Sequence, residues 1–386
     1  MPDGEGMDRR RFLFRMARAG VGAMVLPGIP GWARAGEIEE TSRSWRAMGT
    51  LIEVRVPDLP RAEAVEAIRR VRRRVEELEA AMTLYRPESP LVAINARPEG
   101  RWMEAPVELV DAVAGAALAS AATGGAYDPT VAPAMRAWGL YDLEGREADP
   151  RVLAVWRSRP GPSAIEVGTA DRRLRRLDAR MELDLGGIGK GIAVDESLAL
   201  LRRAGSRAAL ANLGGEIGVL GAPQDRPRGW PVGIAHPRRP GEICAEFELR
   251  SGHVATSGDS ERWVETPSGR KHHILDPRTG VPASGAVSLT VWAPTGREAD
   301  VASTALFVEI SRGRSLPETV PCHVVRERDG RLFSEGTLRG SAGRETETTL
   351  GDPAGHPARN QSASTACGWG RPKGSSGPRA SGNPSG

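Results

Sequence analysis

Lys190 stands among Gly186, Gly187, Gly189 and Gly191, six residues after Asp184, and an amphipathic run begins where the glycines end. Glycines let a backbone approach a ligand closely, and a helix starting behind them aims free N–H groups and a positive dipole end at an anion. The stretch from Met181 to Asp195 therefore has the build of a phosphate or nucleotide site. It is not a P-loop: GxxxxGK[ST] would need Gly at 184, which is Asp, and Ser or Thr at 191, which is Gly. The dinucleotide pattern GxGxxG fails as well, because Gly187 and Gly189 would call for Gly at 192, which is Ile. A tight strand-to-helix turn without a ligand fits the glycines equally well. Lysine usage separates the two readings. Of 53 Lys+Arg only Lys190, Lys271 and Lys373 are lysines, so a chain that prefers arginine has kept a compact ammonium inside this loop.

Two more clusters carry chemistry. Residues 271–280, Lys-His-His-Ile-Leu-Asp-Pro-Arg-Thr-Gly, gather His272 and His273 beside an Asp-Pro turn, a density that favours a site over isolated structural histidines. Asp300 and Thr304 are four apart, hence on one face of a helix read over 298–307. An Asp capping the helix and a Thr bonding back to it would explain them. A carboxylate, a hydroxyl and carbonyls from a glycine loop are also the oxygen ligands that a hard cation such as Mg²⁺ or Ca²⁺ accepts.

Several elements must position these groups. Residues 51–56 alternate as a strand, and 61–82 read as a long helix with Val65, Ile68, Val71, Val75 and Leu78 on one face. A loop is expected over 87–98, a second helix over 105–122 with a Thr-Gly-Gly stop, and irregular chain over 140–180. The Ala126-Tyr127-Asp128-Pro129 run reads locally as a capped loop. A helix follows over 190–204, then strands over 208–213, 230–237, 245–250 and 287–293, with a polar turn at 254–259.

The ends differ from the middle. Arg9-Arg10-Arg11-Phe12 followed by a mildly apolar stretch and Ala33-Arg34-Ala35 reads as a twin-arginine signal over residues 1–35, too short to span a bilayer permanently. The expectation is export to the periplasm as a soluble protein. Residues 336–386, rich in Gly, Ser and Pro, read as a disordered low-complexity tail, leaving 36–335 as the folded domain. The two ends together hold twelve basic and six acidic residues, so the remainder has 41 basic against 43 acidic. The basic pI of 9.3 thus belongs to the ends, and no basic face suggests nucleic acid. Cys244, Cys322 and Cys367 form neither a metal spacing nor a CxxC pair, and whether Cys244 and Cys322 bridge is left open.

Read in order, MGT at 48–50, YDPTVAP from Tyr127, LDLGGIGKGIAVD from Leu183, ANLGGEI from Ala211, ATSGD from Ala255, HHILDPRTG from His272 and EADVASTAL from Glu298 are similar to the FAD:protein FMN transferases, the ApbE-like family. The resemblance spans most of the chain from 47 to 308. It implies an α+β fold, T-fold-like, with antiparallel sheets and packed helices in a single catalytic domain. It implies that FAD is the substrate, cleaved so that FMN passes to a Thr or Ser of a partner flavoprotein with release of AMP. By match to the family's motifs, Asp300, Thr304 and a carbonyl of Gly187 would hold Mg²⁺ or Ca²⁺, and Met48, Tyr85, Ala126, Tyr127, Asp128, Asp184, Lys190 and Ile274 would line the FAD. His273 is the candidate acceptor of the incoming hydroxyl proton, with Asp276 orienting it, since an imidazole of near-neutral pKa suits that role. The implied partner is a subunit of a membrane respiratory complex or a regulator of nitrous-oxide reduction. Hydrolysis of FAD to FMN and AMP, and a non-catalytic flavin carrier or assembly chaperone, are the rival readings. Gly186-Gly187 and Ser303 depart from the family's usual residues without removing a proposed ligand.

Overall fold

The computed structural model describes residues 40–338 and two short strands, 23–25 and 346–348. Other than those two strands and residues 336–338, the expected signal segment and tail lie outside the described residues. Strand β1 (Ala23–Val25) pairs antiparallel with a later strand. The chain then forms a hairpin of β2 (Thr41–Ala47) and β3 (Thr50–Val56), joined by Met48 and Gly49 at φ of 50° and 73°. Positive φ at both central residues is what a two-residue hairpin of this hand requires.

Helix α1 (Arg61–Met82) has the bounds its periodicity predicts and buries Ala64, Ala67, Ile68, Val71, Val75 and Leu78. The expected loop at 87–98 instead contains α2 (Pro90–Ala96). Ser89 caps it by accepting from Leu91 N at 3.2 Å, Pro90 opens it, and Leu91 and Ile94 are buried. After β4 (Met103–Glu104), α3 (Val107–Ala122) is the expected Ala-rich helix. A short α4 (Ala132–Ala137) follows.

The 140–180 stretch is also more regular than expected. Helix α5 (Pro150–Arg157) is capped by Asp149 and anchored by Leu153 and Trp156, and β5 (Ile165–Gly168) and β6 (Arg173–Arg176) make a three-stranded sheet with β4. Helix α6 (Gly189–Arg203) carries Lys190 in its first turn and stops before Gly205, at φ 94°.

Next come β7 (Ala209–Leu213), β8 (Glu216–Leu220), β9 (Trp230–Ala235), the partner of β1, and β10 (Ile243–Leu249). Strand β11 (Gly252–Gly258) occupies the expected polar turn at 254–259 and lies inside the main sheet, between β8 and a later strand. Its hydroxyls find partners within the protein: Thr256 Oγ1 is 2.9 Å from Thr290 Oγ1. Polarity therefore misled the sequence reading there.

The hairpin β12 (Trp263–Thr266) and β13 (Gly269–His272) precedes β14 (Leu275–Asp276), β15 (Val281–Pro282) and β16 (Ser288–Ala293). Helix α7 (Gly296–Ser311) carries Asp300 and Thr304, and β17 (Cys322–Arg328), β18 (Arg331–Gly336) and β19 (Thr346–Thr348) complete the chain. The main sheet has nine strands in the order β19-β18-β17-β16-β11-β8-β7-β3-β2, and its ladders are antiparallel. Helix α6 packs between α1 and α7, with α6 also against β7 and β8 and α7 against β11 and β16. This is the expected α+β arrangement. The fold runs slightly past residue 335, because β18 continues to Gly336 and Leu338 is buried. Cys244 and Cys322 are both free thiols. No described helix is long and apolar enough to cross a membrane.

Candidate functional site

The glycine loop is built before α6 begins. Asp184 N donates to Pro129 O at 2.7 Å, and the Asp184 carboxylate turns the loop by accepting from Gly186 N at 2.7 Å and from the Tyr141 hydroxyl. At Gly187 a Cβ would stand 3.2 Å from Tyr127 Cε2 and 3.4 Å from Thr304 Oγ1. The missing side chain is what lets the loop, the Tyr127 ring and the Thr304 hydroxyl meet.

Helix α7 reaches the same place from the other side. Asp300 is buried, and its Oδ2 accepts from Gly191 N at 3.0 Å. Ser257 of β11 lies 2.8 Å from Ser303 Oγ and 3.3 Å from Thr304 Oγ1. The residues expected to hold a cation are thus neighbours at the junction of the loop with α7, Thr304 Oγ1 beside Gly187 and Asp300 bonded to Gly191 N.

Lys190 points across α6 to the base of β8 and forms an ion pair with buried Glu216. Burial opposes its charge, but Glu216, Asp300 and Glu261 outweigh that and hold Lys190 above its ordinary value. The carboxylates move the same way. Burial pushes Glu216 and Glu261 up, each opposed by Lys190 and reinforced by Asp300. Burial likewise raises Asp300, against Lys190 and the Gly191 amide. Glu216, Glu261 and Asp300 face the Lys190 ammonium, with the Arg262 guanidinium acting on Glu261 as well, so acids still outnumber cations three to two and the cluster is short of positive charge.

Unmet polar atoms point the same way. The Tyr127 hydroxyl and Glu216 Oε2 are buried with no hydrogen-bond partner. Buried polar groups are normally paired, so each is a place for a ligand atom. Among the described residues no group of three or more His, Cys, Asp or Glu side chains could hold a metal alone. A cation here would rest on the mixed set of the Asp300 carboxylate, the Thr304 hydroxyl and the Gly187 carbonyl. That set of hard oxygens, in a cluster short of positive charge, fits Mg²⁺ or Ca²⁺.

The expected flavin-lining residues fall into two groups. Met48 sits near the loop, its Cε 3.8 Å from where a Cβ on Gly189 would be. The exposed Tyr85 ring meets Tyr141 edge-on at 6.3 Å, with the Arg262 guanidinium 5.7 Å from the Tyr85 centroid, so Tyr85, Tyr141, Arg262 and Asp184 make one wall. Ala126, Tyr127 and Ile274 are buried. The Asp128 carboxylate is consumed within its own turn: Oδ1 accepts from Thr130 N at 2.7 Å and Thr130 Oγ1 at 2.6 Å, while Oδ2 pairs with Arg159.

At His273 the structure departs from the expectation in two respects, its pKa and its partner. Its Nδ1 lies 3.2 Å from Arg262 O, and since a carbonyl only accepts, Nδ1 carries the proton and Nε2 keeps its lone pair. Burial and then Arg262 push the imidazole well below 6.5, so it is not the near-neutral group expected. Asp276 does not orient it. That carboxylate accepts from Arg278 N at 2.9 Å and from Arg312 at 2.6 Å and 3.2 Å, holding the Asp-Pro turn to the end of α7. The Arg262 carbonyl takes the orienting place. His272 is structural, with Nε2 2.8 Å from Ala283 O and its ring edge-on to Phe307.

Sequence reasoning missed Ser257, Glu216, Glu261, Arg262 and Tyr141, which the structure brings beside the expected site residues. A signal existed for Glu216, which directly follows the Gly214-Gly215 turn of a fully buried hairpin, where a carboxylate needs a partner.

A family model described as the ApbE family matches residues 48–323. The chain is 31% identical over 346 residues to the FAD:protein FMN transferase of Treponema pallidum (strain Nichols), covering 84% of this chain and 93% of that one. Among solved structures it is similar to the apo form of the flavinyl transferase ApbE of Pseudomonas stutzeri, with TM-score 0.69, 25% identity and coverage of 80% of this chain and 100% of that one. The ApbE protein of Thermotoga maritima MSB8 gives TM-score 0.67 at 26% identity, covering 75% and 94%.

Proposed function

The chain belongs to the ApbE family, and from that premise we propose that it is an FAD:protein FMN transferase dependent on Mg²⁺ or a similar cation. The observation that carries this reading is the meeting of the glycine loop with α7, where Thr304 Oγ1 and Gly187 approach each other and Asp300 bonds Gly191 N beside Lys190. The acceptor hydroxyl oxygen bonds to the phosphorus of the FMN half, the diphosphate P–O bond breaks, and AMP leaves with the electron pair. Such a displacement needs charge neutralisation and alignment more than covalent help.

Asp300, Thr304 and the Gly187 carbonyl would hold the cation, which when bound neutralises diphosphate charge. Lys190 supplies a fixed positive charge at the start of α6, whose N-terminal dipole adds to it. His273 Nε2 takes the proton of the acceptor hydroxyl, its ring held by Arg262 O. The Tyr85, Tyr141 and Arg262 wall offers stacking surface to an aromatic ring system. The arginine run at 9–11 supports export by the twin-arginine route and action in the periplasm. The acceptor is then an exported flavoprotein domain, of a membrane respiratory complex or of a regulator of nitrous-oxide reduction.

Incubation with FAD, Mg²⁺ and a Thr-bearing acceptor domain tests the reading. Transferase action gives covalent flavin on the acceptor and one AMP per flavin. Free FMN with AMP in the presence of acceptor makes the protein a hydrolase, and no AMP at all makes it a carrier.

A further inference from the structure

Helices α6 and α7 cross where both lack side chains. A Cβ on Gly191 would lie 2.3 Å from Gly296 O, and one on Gly296 would lie 2.5 Å from Gly191 O, so the two backbones touch. One turn further along α6, on the same face as Gly191, stands Asp195. Its Oδ1 accepts from Gly296 N at 2.6 Å and its Oδ2 from Arg297 N at 3.1 Å, the first amides of α7. Asp300 of α7 returns the arrangement by accepting from Gly191 N, in the first turn of α6.

Each helix therefore lends a carboxylate to the N-terminal amides of the other. An N-terminal amide of a helix has no partner within that helix, so these bonds are the natural fixings of the crossing. The remaining end of α7 is served locally: Thr295 Oγ1 accepts from Glu298 N at 3.2 Å. His253 of β11 lies against the crossing, its Nδ1 donating to Pro294 O at 3.0 Å. The same strand carries Ser257, which touches Thr304.

We propose that Asp195 is a positioning residue for the cation site: by clamping the start of α7 to α6 it sets the separation between the Gly187 carbonyl on one helix's loop and Asp300 and Thr304 on the other. This rests on the cation reading given above. Asp195 touches none of the proposed ligands. A carboxylate Oδ2 held by Gly191 N and a hydroxyl facing Gly187 keep their geometry only while the two helices keep their register, and that register is fixed at the crossing.

The test is a titration of the full chain with Mn²⁺, followed by electron paramagnetic resonance, on four proteins: the parent, Asp195→Ala, Thr295→Ala and Asp300→Ala. Thr295→Ala removes a cap from the same helix without touching α6, and serves as the control for a purely structural effect. Asp195→Ala is expected to weaken Mn²⁺ binding by roughly tenfold or more, the loss typical when a group supporting a ligand is removed, while Thr295→Ala lowers the melting temperature and leaves Mn²⁺ affinity unchanged. If Asp195→Ala does not fold, Asp195→Asn, which keeps one acceptor oxygen, should give an intermediate loss. Equal Mn²⁺ affinity in Asp195→Ala and the parent, or the same loss in Thr295→Ala as in Asp195→Ala, overturns the proposal. If Asp300→Ala binds Mn²⁺ as the parent does, the cation reading itself fails and the role of Asp195 falls with it. Asp300→Ala binding none while Asp195→Ala binds fully rejects this proposal alone.

Discussion

Lys190 at the start of α6 and Glu216 at the start of β8 form an ion pair beneath the glycine loop, with the Glu216 side chain only 4% exposed. Removing one partner of a buried pair leaves the other charge uncompensated, at a cost of about 3–5 kcal/mol. Lys190→Met would also remove the cation that most favours the charged forms of Asp300 and Glu261. Urea unfolding of Lys190→Met should show a loss in that range. Glu216→Gln should lose clearly less, since Lys190 retains Asp300 and Glu261. Equal losses would mean the pair acts alone and not as part of a cluster.

The orphaned Tyr127 hydroxyl gives a prediction of opposite signs. A buried hydroxyl without a partner costs the free protein about 1–3 kcal/mol. Tyr127→Phe should therefore raise the melting temperature without ligand and diminish the rise that FAD with Mg²⁺ produces. A variant stabilised by FAD and Mg²⁺ as much as the parent would show that the hydroxyl does not await a ligand atom.

His273 bears on the pH profile. Burial, then Arg262, depresses its pKa well below 6.5, so the ring stays in its proton-accepting form as pH falls through that value. With FAD and Mg²⁺ saturating, the acid limb of the transfer rate should lie below pH 6.5, and His273→Ala should lower the rate by about 10²–10⁴ fold if the ring is the base. Undiminished transfer in His273→Ala would remove the residue from the reaction.

Away from the site, His323 of β17 is buried with neither ring nitrogen bonded, and burial lowers it to about 4. A folded pKa below the unfolded value of 6.5 means that the unfolded chain takes up the proton first. The stability is complete above pH 6.5 and is lost as pH falls from there to about 4. At 1.36 kcal/mol per unit the whole effect is about 3 kcal/mol. His323→Leu should flatten the stability curve across that window, measured by urea unfolding at successive pH values. An unchanged slope would assign the acid sensitivity to other groups.

Much of this molecule was written locally. The period of apolar residues predicted α1 to the residue, and the glycines with their single lysine marked the loop. Asp300 and Thr304 fell on one helix face because four residues make about one turn. Caps that could have been read, Ser89-Pro90 and Asp149-Pro150, predict α2 and α5, and the expectation of loops there overlooked them. Polarity was the poorer guide: it read a turn over 254–259, whereas β11 runs there as a strand whose hydroxyls are paired inside the main sheet.

The order of the motifs, read from the sequence alone, was enough to point to the family and to the α+β fold. Which atoms meet was decided only by tertiary structure. Gly191 bonds Asp300 across 109 positions, and Lys190 finds Glu216 across 26. Asp276, three residues from His273 in the chain, turns instead to Arg312, 36 positions on, while the Arg262 carbonyl holds the ring. Spacing along a chain reports neighbours within a helix or strand, because those repeat with a fixed period. It carries no such period across a sheet or between crossing helices, where packing alone sets which side chains touch.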